Sequence, residues 1–326
     1  MTIGTPGRLA RALAPILAAT TPVGLVSCSR AQTSPQPTHV VTDMSGARVK
    51  VSLDVEHVGE QFPAHTVTDI MLGAGSKIVA IPPNVKTLPF LKKMYPQISQ
   101  NAGIPSVVVG FTTFPELSKS VTLAGEILGG TARRRAQAYV DYLNKNVNLV
   151  QSRLANLPES QRPSVVHIAS YPPLVVDGGG SSADMWINAA GATNALSDVN
   201  GSHSTITAEE LLQRNPDVLI IQAPGGDQGL VAGSAQSVVT ALSKQFPVWN
   251  DLKAVKNHRV YFNPQGMYPW ERASPEEALQ ALWAAKTLHP DLFKDIDMRA
   301  EARNFYKEFF NYTLTDADLD QMFQLT

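Results

Sequence analysis

Thr131-Ala-Arg-Arg-Arg-Ala-Gln-Ala-Tyr-Val-Asp-Tyr-Leu-Asn-Lys-Asn-Val-Asn-Leu-Val-Gln-Ser-Arg-Leu-Ala-Asn-Leu157 is the stretch that organises everything around it. Tyr139, Leu143, Val147, Val150, Leu154 and Leu157 follow one another in steps of three and four. That spacing draws an apolar stripe along one face of a helix. Pro158 ends the pattern. At ~1.5 Å per residue the helix would run ~40 Å, long enough to bridge two lobes.

On its N-terminal side the sequence predicts short elements. His39 to Val51 reads as a hairpin with Ser45-Gly46 in the turn. A helix through Val67–Leu72 ends at Gly73, a residue suited to a left-handed cap. Lys77–Ile81 and Val107–Val109 are strand cores, and Pro115–Leu128 is a helix stopped by Gly129-Gly130. On its C-terminal side Val165–Ala169 and Val218–Ile221 are unbroken apolar runs, as parallel strands buried on both faces require. Helices are expected at Ala183–Ala190, Ala208–Gln213, Gly233–Leu242, Pro275–Leu288 and Ala300–Phe310. The expected class is α/β: two Rossmann-like lobes with mostly parallel sheets, residues 39–130 and 158–326, joined by a backbone helix at 131–157.

Apolar residues make up 44% of the 326, charged residues 17%, and the formal net charge is −1. This is globular composition, and no basic excess exists to neutralise phosphates, so nucleic acid is not an expected partner. No fixed-period repeat is visible. The one cysteine, Cys28, excludes an intramolecular disulfide. Arg8 and Arg11 precede the apolar run Leu13–Val26, and Leu25-Val26-Ser27-Cys28 closes it. A positive start, a short apolar core and a small residue before the cut describe a secretory signal over residues 1–28. Pro15, Thr20, Thr21 and Pro22 interrupt the run, which is too short for a spanning helix of ~20 residues. Leu-Val-Ser-Cys resembles the bacterial lipobox, which implies lipidation of Cys28; a plain signal peptide is the alternative. Ser29–Thr38 then reads as a polar tether.

Signatures of catalysis are weak throughout: Gly-x-Ser-x-Gly, Gly-x-x-x-x-Gly-Lys-Ser/Thr and His-Glu-x-x-His are all missing. Gly178-Gly179-Gly180 lacks the lysine of a phosphate loop and reads as a turn entering a helix, with Ser182 or Asp184 at the cap. The seven histidines show no chelating spacing; His65 and His203, in expected loops, are the metal-ligand candidates, with an ordinary surface role as the alternative. Neither an enzyme nor a resident cofactor is indicated.

Binding residues are expected at strand ends and loops. Pro269 forces Tyr268 into an extended conformation, so Tyr268, Trp270 and Arg272 are expected to share one side. Two aromatic planes beside a guanidinium suit a flat or bulky anion. The alternative packs Trp270 under the following helix and pairs Arg272 with a carboxylate. Tyr171 directly follows a predicted strand, where α/β sheets place ligands; Phe62 and His65 are its counterparts on the other lobe. Thr207-Ala-Glu209-Glu210 reads as a capping box through Glu210, leaving Glu209 directed elsewhere. Trp186 and Trp283 are expected core residues.

From His39 onward the order of segments resembles the helical-backbone class of periplasmic binding proteins, which serve importers of ferric siderophores, haem and cobalamin. The likeness is carried by Gln61-Phe-Pro-Ala-His65, Leu72-Gly-Ala-Gly-Ser-Lys-Ile78, Gly103-Ile-Pro-Ser-Val-Val-Val109, Ala189-Ala-Gly-Ala-Thr-Asn194, Thr207-Ala-Glu-Glu-Leu-Leu212 with Asn215-Pro-Asp217, and Ala254-Val-Lys-Asn-His-Arg-Val-Tyr261. The resemblance implies an extracytoplasmic, lipid-anchored, monomeric binding protein of an ABC importer. An iron chelate, haem or cobalamin would sit in the inter-lobe cleft, with small closure on binding. It also implies that Glu209 docks on permease subunits; an ordinary solvent-exposed glutamate is the alternative. One departure stands out. A βα unit usual in that family has no room between Tyr95-Pro-Gln-Ile98 and Gly103-Ile-Pro105, which only Ser99–Ala102 joins. Three other readings remain open from the residues: a direct metal-ion receptor of the same architecture, a non-transport surface protein derived from it, and a hydrolase or lyase working in the cleft.

Overall fold

The computed structural model describes residues 37–60, 62–80, 111–171, 173–223 and 235–324. The expected signal segment, Cys28, nearly all of the tether, the Val107–Val109 strand and the place of the expected missing βα unit lie outside these residues.

The spine helix is present as α3, Gly130–Leu154, preceded by α2, Phe114–Leu128. Gly129, at φ 65°, makes the break between them, a backbone conformation that a side chain would strain. Thr113 and Glu116 form a reciprocal capping box at the start of α2. The two helices approach closely at Gly125, where an added Cβ would lie 2.6 Å from that of Ala136. The spine buries Tyr139, Leu143, Val150 and Leu154 of the predicted stripe, with Ala132, Ala136 and Asn146 beside them, while Val147 is only partly buried. It ends three residues before Leu157, which packs half-buried against the core.

Ahead of the spine, β1 (Thr38–Thr42) and β2 (Arg48–Ser52) form the expected antiparallel hairpin, with Gly46 in its turn at φ 86°. β3 (Val58–Gly59) pairs in parallel with β4 (Ile78–Ala80), and α1 (Pro63–Met71) connects them. Pro63 opens α1 at a position where its missing N–H costs nothing, and Gly73 follows its end at φ 83°.

Behind the spine lies a sheet with β5 (Ser164–Ser170) at its centre. β9 (Val218–Ile221) runs parallel on one side, followed by β10 (Val260–Phe262), also parallel. On the other side β7 (Thr193–Asn194) pairs in parallel with the start of β5, and β6 (Val175–Val176) pairs antiparallel with its end. β8 (Ser204–Thr205) extends β6 antiparallel. Both apolar runs are buried on both faces. Val165, Val218 and Ile220 join the core shared with α3, while Val166, Ile168, Leu219 and Ile221 join a second cluster on the opposite face. Asp217, ahead of β9, accepts from Ser164 N at 2.8 Å and pairs with Lys253, aligning the two strands at their starts.

The longer helices of this half are α4 (Ser182–Ala189), α5 (Ala208–Arg214), α6 (Ala235–Gln245), α7 (Glu277–Leu288), α8 (Met298–Phe310) and α9 (Asp316–Met322), with a single turn at Lys253–Lys256 besides. α9 was not expected; Thr315 and Asp318 form a capping box that starts it. The spine reaches across to α7 by polar bonds: Tyr139 Oη donates to Pro275 O at 2.8 Å, and Asn146 Nδ2 donates to Ala278 O at 2.9 Å. Residues of α1, α2, α3, α7, α8 and α9 share one apolar cluster, so the halves before and after the spine have a common core. Trp186 and Trp283 lie within that cluster, as expected. The α/β class stands. Among the described residues no helix is long and apolar enough to cross a membrane.

Candidate functional site

Phe62 is the cap residue of α1, with extended backbone and a ring 38% exposed. Its ring stands edge-on to His65 at 5.5 Å and to Tyr268 at 5.9 Å between centroids. Phe62, from before the spine, thus meets Tyr268, from after it, and carries His65 on its other contact. His65 Nδ1 lies 3.5 Å from Glu60 Oε2. Asp69, one turn further into α1, has its carboxyl pushed well up by burial and by the neighbouring Glu60.

The segment that carries Tyr268 is not extended as Pro269 suggested. Gln265 and Pro269 form an antiparallel bridge, Gly266 N donates to Tyr268 O, and Trp270 N donates to Pro264 O, each at 3.2 Å. This tight turn sends the side chains apart. Tyr268, 1% exposed, goes toward Phe62. Trp270 is wholly buried, edge-on to Phe323 at 5.6 Å. Trp270 is therefore corrected from a ligand-facing ring to a core residue, because α9 brings Phe323 over it.

Arg272 is likewise corrected. It is 7% exposed; its Nη2 lies 3.1 Å from Asp177 Oδ2 and donates to Gln222 Oε1 at 3.1 Å. Its charge is engaged inside the protein. Asp177 also bonds His167 Nδ1 at 2.7 Å and accepts from His203 N at 3.0 Å. Burial alone would push the Asp177 carboxyl up, but the bond from His167 and the charge of Arg272 outweigh it and hold it well below the usual range. Burial lowers His167 despite the aspartate beside it. Sequence reading missed His167, Asp177 and Gln222; a polar residue in the middle of the apolar run of β5 and polar residues just past β6 and β9 were the signal present.

The remaining expectations fall as follows. Tyr171 directly follows β5, half-buried against the Val166 cluster. Glu209 is exposed in the first turn of α5. Thr207 caps that helix by accepting from Glu210 N at 3.0 Å, but the Glu210 carboxylate lies 4.0 Å from Arg214 instead of turning back, so the expected box is half formed. Ser181, not Ser182 or Asp184, caps α4, and Asp184 accepts from Gly180 N at 3.2 Å. Gly178 and Gly179 press on the backbone of Val199 and Ser197, where no side chain would fit, so the triple-glycine turn is a packing device. His203 enters the site through its backbone, and among the described residues no group of three His, Cys, Asp or Glu could hold a metal ion.

The spine helix packs against a mostly parallel sheet after it and the shorter elements before it, an α/β arrangement in which Phe62 meets Tyr268. The pattern of the periplasmic binding protein family matches residues 96–266, just over half of the chain, and the chain belongs to that family. Its members bind solutes for transport and are not enzymes. The chain is 25% identical over 195 residues to the molybdate-binding protein MolA of Haemophilus influenzae, covering 60% of this chain and 51% of MolA. It is 21% identical over 292 residues to the uncharacterized ABC transporter substrate-binding lipoprotein YvrC of Bacillus subtilis, covering 78% of this chain and 87% of YvrC. To the high-affinity heme uptake system protein IsdE of Staphylococcus aureus it is 28% identical over 155 residues, 46% of this chain and 49% of IsdE. The chain thus spans about half the length of MolA and of IsdE. A crystal structure of a periplasmic solute binding protein from Veillonella parvula shares the fold with a TM-score of 0.74, at 23% identity, covering 89% of this chain and 98% of that one.

Proposed function

We propose that this chain is the extracytoplasmic substrate-binding subunit of an ABC importer, taking an iron chelate, haem or cobalamin between the halves of the fold and handing it to permease subunits. The observation that carries the reading is the meeting of Phe62, which also touches His65, with Tyr268. Aromatic faces from both halves converge at one point, as a bulky planar guest requires. Tyr171 at the end of β5 would border the same cleft. The α3 spine, bonded to α7 through Tyr139 and Asn146, keeps opening small. Glu209, exposed on α5, would meet a basic permease surface, steering encounter. Cys28 would carry the lipid anchor, and the protein would act as a monomer.

The likeness to IsdE supports haem as a guest, and the likeness to MolA makes molybdate the rival to include. The internal pairing of Arg272 with Asp177 weighs against an oxyanion held by that arginine. Calorimetric titration of the purified protein with haemin, a ferric hydroxamate siderophore, cyanocobalamin, sodium molybdate and nickel chloride tests the proposal. One-to-one binding of one of the first three at micromolar affinity or better supports it. Binding of molybdate alone, of the bare ion alone, or of none of the five rejects it.

A further inference from the structure

The turn that presents Tyr268 has few backbone partners of its own, and a buried carboxylate supplies them. Glu276, just ahead of α7 and wholly buried, accepts from Met267 N through Oε1 at 2.9 Å and from Tyr268 N through Oε2 at 3.0 Å. The Tyr306 hydroxyl on α8 donates to Glu276 Oε1 and itself accepts from Met267 N at 3.0 Å. Gly266 makes the arrangement possible: a Cβ there would overlap the Tyr306 hydroxyl and Glu276 Oε1. The spine supports the same place, since Tyr139 donates to Pro275 O, one residue before Glu276. An apolar side chain in its place would take an acceptor from each of two backbone N–H groups, which is why a carboxylate is tolerated here.

We propose that Glu276, braced by Tyr306, is a positioning residue of the cleft: it fixes the Met267–Tyr268 turn and so sets the pose in which Tyr268 meets Phe62. The proposal rests on the cleft reading above. Glu276 touches no guest; it acts through Tyr268. Both carboxylate oxygens are required, because each serves a different backbone N–H. A glutamine offers one acceptor oxygen and turns an NH2 donor toward the remaining N–H, so it cannot replace the glutamate.

The test compares wild type with Glu276→Gln and Tyr306→Phe, each checked for folding by near-ultraviolet circular dichroism. Amide proton spectra report the Met267 and Tyr268 N–H groups directly, and haemin titration reports the cleft. In Glu276→Gln the amide left facing the new NH2 group moves upfield and exchanges at least about tenfold faster, as loss of a local hydrogen bond predicts, and the haemin Kd rises about tenfold. Tyr306→Phe shifts the Met267 amide more than that of Tyr268 and stands in for Glu276→Gln should that variant not fold. Unmoved amide signals in a folded variant overturn the proposal. So do moved signals with unchanged haemin affinity. A wild type that ignores haemin rejects haem as the guest, and the amide signals then decide the positioning role by themselves.

Discussion

The ring of Phe62 meets the ring of Tyr268 edge-on, 5.9 Å between centroids, and joins two segments separated by most of the chain. Phe62 is partly open to solvent while Tyr268 is covered. The pair is thus a held surface and a more accessible partner. A guest that enters between the rings replaces a contact worth about 1 kcal/mol beyond its area with its own faces.

Phe62→Ala removes that accessible partner. Its effect on stability is expected to stay within about 1 kcal/mol, as for other half-exposed side chains outside the core. Guest affinity is expected to fall about tenfold, or 1.4 kcal/mol. Urea unfolding and calorimetric titration of the same preparation separate the two effects.

Trp270→Ala acts in the opposite way. The ring is wholly buried against Phe323, and truncating such a residue costs about 3–5 kcal/mol through lost transfer energy and a cavity. The expected outcome is a large drop in the urea midpoint. Trp270→Phe, which keeps much of the volume, should recover part of it.

Arg272→Met leaves the Asp177 carboxylate buried without its guanidinium partner. Breaking one partner out of such a pair costs about 3–5 kcal/mol. Adding Asp177→Asn removes the stranded charge, so the double variant is expected to be more stable than Arg272→Met alone. Additive losses would contradict the coupling of the two side chains.

The pH dependence follows from Glu276. Burial raises its carboxyl from 4.5 to about 7, against the hydrogen bonds that favour ionisation. Between those two values the folded protein holds a proton that the unfolded chain has released. The Glu276 contribution to stability therefore falls as pH rises from about 4.5 to about 7 and levels off above it, against the opposite trend of the lowered His167. Glu277 and Asp69, also raised by burial, add to the slope. Asp177, lowered, works at the acid end: its contribution is present above its ordinary value of 3.8 and is lost as pH falls through the depressed one. Urea midpoints measured across pH 4 to 8 are expected to decline less steeply in Glu276→Gln than in wild type.

The fold was largely legible because its signals are local. The stripe from Tyr139 to Leu154 determines the spine, and the apolar runs at Val165 and Val218 determine the central strands. Gly46 and Gly73 mark turns that need positive φ. Part of the candidate site was legible for the same reason: Phe62 caps α1 and Tyr268 lies in a turn, while His65, expected in a loop, stands in the first turn of α1. The misreadings arose where distant segments decide. Nothing near Trp270 reveals that Phe323 will cover it, and nothing near Arg272 reveals Asp177 nearly a hundred residues earlier. The Gln265–Pro269 bridge overrode the alternation expected of an extended segment. Gly266 and the pair Glu276-Glu277 ahead of an apolar helix were the available hints of a buried acid.

The central claim is that the guest sits between Phe62 and Tyr268. A crystal structure of the protein with whichever of haemin, the ferric siderophore or cyanocobalamin binds most tightly tests it most directly. The account predicts the guest's density between the two rings, with their centroids farther apart than 5.9 Å and the Glu276 bonds to the 267–268 turn intact. Density elsewhere, with the ring contact undisturbed, would contradict it.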